Sequence, residues 1–169
     1  MEAPSASGDP TRRRHVAGRA GGLVMALALA AALLLTAAEM STIASVDVPG
    51  ESCEVTYDQA PDLADRCALG GFERHGGALL LLAALAGLMG VMALRGAPTA
   101  AGAVLTALGV AVLAIALIGD LPLTNETGAI GDDLDDATAQ AGLGFYVELT
   151  AGLLALIAGA LALLASRTP

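Results

Sequence analysis

The stretch GGALLLLAALAGLMGVMAL, residues 76–94, carries no charge from end to end and is closed by Arg95. As a helix rising about 1.5 Å per residue, it matches the hydrocarbon thickness of a bilayer. Working outward, three further runs of the same kind lie at about 20–40, 99–118 and 142–165. None shows period 2 or a polar face, so each is apolar all round. The hydrophobic fraction is 56% and the mean hydropathy +0.71, too apolar for a soluble domain of 169 residues. The expectation is an all-α membrane protein: a four-helix transmembrane bundle over 20–167, preceded by a disordered basic tail over 1–19.

Between the runs lie two acidic segments. Residues 43–75 hold Asp47, Glu51, Glu54, Asp58, Asp62, Asp65 and Glu73 against Arg66 and Arg74 alone. Residues 120–141 hold Asp120, Glu126, Asp132, Asp133, Asp135 and Asp136 and no basic residue. The turn at 96–99 (GAPT) is short enough to make the second and third spans antiparallel neighbours. Phe145 and Tyr146 fall at the start of the fourth span, where an interfacial aromatic belt sits.

Orientation follows from arginine placement. Arg12, Arg13, Arg14, Arg19, Arg95 and Arg167 all belong to the amino tail, the central turn and the carboxyl tail. An even number of spans puts these on one side, which the positive-inside bias makes cytoplasmic. The expected location is the plasma membrane, multi-pass, both termini inside, with two extracytoplasmic acidic loops. A cleaved signal peptide is the alternative for the first span, with Thr36-Ala37-Ala38 as its cleavage site. The length of the uncharged run and the three spans that follow favour an anchor.

Within the first loop, Val46, Val48, Cys53, Val55 and Tyr57 alternate in part, as in a short strand or hairpin. Pro61 followed by Gly70 punctuates a short helix on which Leu63 and Cys67 share a face and Asp62 reaches Arg66. Cys53 and Cys67 are the only cysteines. On the oxidising side they form a structural disulfide closing a loop of about 15 residues, worth on the order of 3 kcal/mol. A metal or redox pair is the competing reading, disfavoured by a spacing far from C-x-x-C.

Glu39 and Glu148 are the only acids in apolar context. A carboxylate deep in a bilayer marks a proton or ion path, whereas one at a span end reaches headgroups and water. Both lie at outer span ends, and the interfacial reading leads. His75, at the same depth, can pair with either as a pH-sensitive group. The run at 132–136 (DDLDD) lacks an EF-hand register and reads as a solvated stretch, charging the first turn of a short helix toward Gln140. Gly102/Gly109, Gly152/Gly159, Ala83/Gly87 and Ala155/Gly159 suit close helix approach and leave room for a homo-oligomer. With Arg95 laid over Arg167, the second and fourth spans coincide at Leu82/Leu154, Ala86/Ala158 and Gly87/Gly159. Duplication and chance matching of low-complexity segments both explain this.

No phosphate-cradling glycine motif, no Ser/His/Asp or Cys/His arrangement and no metal-spaced His/Cys set occurs. No catalytic residue, cofactor, metal ligand or nucleic-acid partner is therefore expected. The layout of short inner tails, a large first outer loop with one cysteine pair and a smaller second loop resembles claudin-like tetraspan proteins. The resemblance is one of topology; with no Trp, the chain lacks that group's Gly-Leu-Trp signature, and no residue role carries over. The all-arginine basic set and the dominance of Ala, Gly and Leu also resemble small four-span membrane proteins of high-GC bacteria. The functional expectation is a non-enzymatic envelope component or accessory subunit, set in the lipid bilayer, whose extracytoplasmic cap contacts a membrane or extracytoplasmic protein partner. The alternative is a small transporter or channel with cation-attracting outer loops and an ion path through Glu39, Glu148 and His75.

Overall fold

The computed structural model describes residues 10–167, with side chains from Ala20 onward. The chain is mostly helical, with four long helices: α1 (Pro10–Glu39), α5 (Ala78–Leu94), α6 (Pro98–Ala114) and α8 (Leu143–Arg167). Between them come β1 (Thr42–Asp47), α2 (Cys53–Thr56), α3 (Pro61–Ala64), β2 (Ala68–Gly70) and α4 (Gly71–His75). After α6 a π-helical turn (Ile115–Asp120) and a 3₁₀ turn (Leu123–Asn125) lead to α7 (Gly128–Asp133) and β3 (Thr138–Ala141). Of the tail expected over 1–19, residues 1–9 lie outside the described part. From Pro10 onward the backbone is helical, so Arg12, Arg13, Arg14 and Arg19 belong to the first turns of α1.

α1 packs along α5 on one side and α8 on the other, while α6 packs along α8 and, over a narrower contact, along α5. The buried positions are Val24, Ala28, Ala31, Leu35 and Ala38 on α1 and Ala151, Ala155, Ala158 and Ala162 on α8. These recur every three or four residues, the 3.5-residue seam that lets helices stay in contact over their length. The core is thus lined mainly by alanine, while large apolar side chains turn outward: Leu33, Leu81 and Ile118 are each more than 70% exposed. A water-soluble bundle does the reverse, burying its leucines and exposing charge. Three helical stretches, Ala20–Glu39, Pro98–Asp133 and Leu143–Arg167, are long and apolar enough to cross a membrane. The apolar stretch 76–94 gives a shorter helix, the 17 residues of α5. Gly76 and Gly77 look like part of the run but adopt left-handed φ of +60° and +90°, so the helix begins only at Ala78.

The seven-residue glycine spacings mark the α6–α8 contact. A Cβ on Gly109 would stand 2.7 Å from the backbone nitrogen of Leu156, and one on Gly102 would stand 3.0 Å from the carbonyl oxygen of Gly159. By contrast, a Cβ on Gly87 would meet only the Leu29 Cδ2 at 3.9 Å. Gly109→Val should therefore cost about 1–3 kcal/mol in unfolding experiments on the detergent-solubilised protein. Gly87→Ala should be neutral or stabilising by up to about 1 kcal/mol, since it removes a helical glycine without a clash.

The two acidic loops are more than connections. They supply a three-stranded antiparallel sheet in the order β2-β1-β3, with Ser45 opposite Ala68 on one side and Gln140 on the other. The expected strand around Val46 runs over Thr42–Asp47, whereas Cys53–Thr56 is helical. α3 starts at Pro61 as read but ends at Ala64, which leaves Arg66 and Cys67 beyond the helix. Residues 138–141 are strand, so Asp132 and Asp133 close α7 and do not open a helix. Beside the sheet, Val46, Val48, Cys53, Tyr57, Cys67 and Ile130 form one small core drawn from both loops. The disulfide joins Cys53 to Cys67 across a separation of 14 residues, as expected.

The Tyr57 hydroxyl donates to Asp133 Oδ2 at 2.9 Å and so ties the first loop to the second. Burial, and then the neighbouring Asp133 carboxylate, push the Tyr57 phenol above its ordinary value of 10.0. The folded two-loop unit of sheet and small core, here called the cap, holds that proton to higher pH than the unfolded chain does. Its contribution is therefore intact below pH 10 and lost as pH rises through the raised value. Tyr57→Phe should remove this alkaline step from cap unfolding followed by hydrogen exchange.

Candidate functional site

Where the helix ends meet the sheet, the apolar core gives way to a group of charged side chains. Glu39 ends α1, Arg74 and His75 end α4, Asp120 closes the π turn after α6, and Glu148 lies in the second turn of α8. Glu39, Asp120 and Glu148 are each no more than 1% exposed. The interfacial reading of Glu39 and Glu148 is thereby corrected: both carboxylates are covered by protein, because the sheet and α4 close over the helix ends.

Glu39 serves the neighbouring helix. Its carboxylate accepts from the Gly77 N–H at 2.6 Å and the Leu79 N–H at 3.2 Å. These are amides at the start of α5, which have no partner within their own helix. A carboxylate there also lies at the positive end of the helix dipole. Close approach makes this possible: a Cβ on Gly71 would collide with the Ala38 and Glu39 backbone, and one on Gly144 would press on the Ala38 and Thr42 carbonyls. The two glycine-rich lead-ins before Phe72 and Phe145 thus both seat against the end of α1.

The remaining charges form a second group. Arg74 donates through Nε to Asp120 Oδ1 at 2.9 Å and through Nη2 to the Gly119 carbonyl at 3.0 Å. His75 Nε2 stands 3.6 Å from Asp120 Oδ2 and 3.8 Å from Glu148 Oε2, beyond hydrogen-bond reach of either. Among the described residues, the buried side-chain atoms without a hydrogen-bond partner are His75 Nε2, Asp120 Oδ2 and both Glu148 oxygens. Such atoms cost free energy unless something satisfies them, so their concentration at one point marks the place where the fold departs from simple packing.

Of the residues singled out in the sequence, His75 and Glu148 come together and Glu39 goes to the α5 amides. Asp120 and Arg74 are additions. Asp120 opens the second acidic segment by sequence, but the Leu121 N–H reaches back five residues to the Ala116 carbonyl, and this wider turn leaves Asp120 fully buried. No spacing marks His75, Asp120 and Glu148 as a set, since they come from three separate elements. The run at 132–136 holds no such arrangement; Asp133 is occupied by Tyr57. Apart from this group, a groove of about 310 Å³ lies on the sheet side, lined by Val46, Arg66, Leu69, Leu123 and Thr127 among others.

In comparisons with known proteins, no family model, no curated protein and no solved structure matches the chain. The features described define a class only at the level of a helical protein with membrane-length apolar helices, a small disulfide-stapled sheet and a buried charged cluster between them.

Proposed function

We propose that the protein is a non-enzymatic integral membrane protein of the plasma membrane, a four-helix transmembrane bundle with both termini cytoplasmic. In this reading the sheet and α2, α3, α4 and α7 form an extracytoplasmic cap through which it acts as an envelope component or accessory subunit. One observation carries the proposal. Every arginine outside the cap-forming segments belongs to the ends of the long helices away from the sheet, while the helix faces between carry outward-turned leucines. α5, at 17 residues, is at the short end of the spanning range, which a bundle partner on each side tolerates. The cap is the distinctive part, with an open groove and with Val55 and Phe72 more than half exposed. A photocrosslinker at Val55 or Phe72 in living cells should capture one consistent partner, either another membrane or extracytoplasmic protein or a second copy of the chain. Recovery of none from either position would overturn the proposed role.

The contact of His75 with Glu148 and Asp120 favours a second reading, a small cation transporter or channel. The cluster lies at the cap end of the helices, and among the described residues no further charged group is buried along the bundle core; a path across needs polar groups at depth. Flux through proteoliposomes that Glu148→Gln abolishes would move the second reading ahead of the first.

A further inference from the structure

We propose that His75, Asp120 and Glu148 form a binding site for one divalent first-row transition-metal ion, with zinc as its probe. One ligand atom from each lies within 4.8 Å of the others. Donor atoms about 2.0–2.2 Å from a shared tetrahedral ion stand roughly 3.3–3.6 Å apart. The observed separations of 3.6 Å and 3.8 Å from His75 Nε2 are too long for hydrogen bonds and close to what a shared ion sets. The unpartnered atoms are the ligating ones: the imidazole Nε2, Asp120 Oδ2 and the Glu148 oxygens, on side chains 6%, 0% and 0% exposed. Arg74 occupies Asp120 Oδ1, which fixes the carboxylate and turns Oδ2 toward the other two, as a hydrogen bond to a ligand's far atom commonly does.

The donor set selects the ion. One imidazole with two carboxylates suits zinc, manganese or iron in the divalent state better than magnesium or calcium, which prefer all-oxygen shells. The ion would also clamp α4, the π turn and α8 together, fastening cap to bundle whichever side of a membrane the cap faces.

The test uses the full-length protein in nanodiscs, stripped with chelator and titrated with zinc against a competing chelator. One zinc per chain is expected, weakened at least about 100-fold by Glu148→Gln and by His75→Ala, since each removes a ligand. His15→Ala and the pair Asp135→Asn/Asp136→Asn should leave binding unchanged, and magnesium should not compete. Cobalt(II) added to the wild-type protein should give the visible bands of a low-coordinate nitrogen–oxygen site, a readout that needs no variant to fold. No zinc bound at one equivalent, unaltered affinity in both ligand variants, or a cobalt spectrum of the aqueous ion would each overturn the proposal.

Discussion

Replacing Glu39 with alanine is expected to destabilise the protein by about 3–5 kcal/mol, the largest single-residue effect in the molecule. The Gly77 and Leu79 amides are held by this one carboxylate, and Leu79 is fully buried. A hydrogen bond to a charged group is worth about 1.5–3 kcal/mol, and a buried donor left bare pays its full desolvation. Gly76 and Gly77, which turn the chain through left-handed φ ahead of α5, carry no side chain that could take the place of Glu39. Glu39→Gln keeps one acceptor and should lose about half as much. Denaturant unfolding in detergent checks both. A loss below about 1 kcal/mol for the alanine variant would mean that water reaches the amides, as an interfacial glutamate would require.

The second large effect concerns the cap. Cys53→Ser with Cys67→Ser should cost about 3 kcal/mol of cap stability, the chain-entropy value for a loop of this length. The cap core is small, with Val46, Val48, Tyr57 and Ile130 the buried residues other than the cysteines themselves. A core of that size cannot hold two loops by burial alone. Limited proteolysis should cut between Asp47 and Ala68 in the double variant while the long helices stay protected. Equal protection of wild type and variant would show that the sheet and the Tyr57–Asp133 bond suffice without the disulfide.

The long helices were legible in the sequence because each is one unbroken apolar run, a signal that needs no knowledge of partners. Their ends were less so. Gly76 and Gly77 count as apolar yet belong to a turn, and Pro10 to Arg19 counts as a polar tail yet continues α1. The disulfide was legible as the sole available pair. The sheet was only half visible: β1 carries several β-branched residues, but β2 (ALG) has none and β3 (TAQA) only Thr138, so both owe their strand form mainly to pairing with β1. The charged cluster lay further out of reach. Glu39 finds its amides some forty residues along the chain, and Asp120 turns inward only because the helix widens by one residue before it. Long-range closure of that kind leaves no local pattern.

The topology rests most directly on the side of the membrane at which α8 ends. A reporter fused after Pro169, fluorescent only in the cytoplasm, should light, and alkaline phosphatase at the same position, active only when exported, should stay silent. Phosphatase activity without fluorescence would contradict the proposed orientation, and with it the assignment of the disulfide-stapled cap to the outer face.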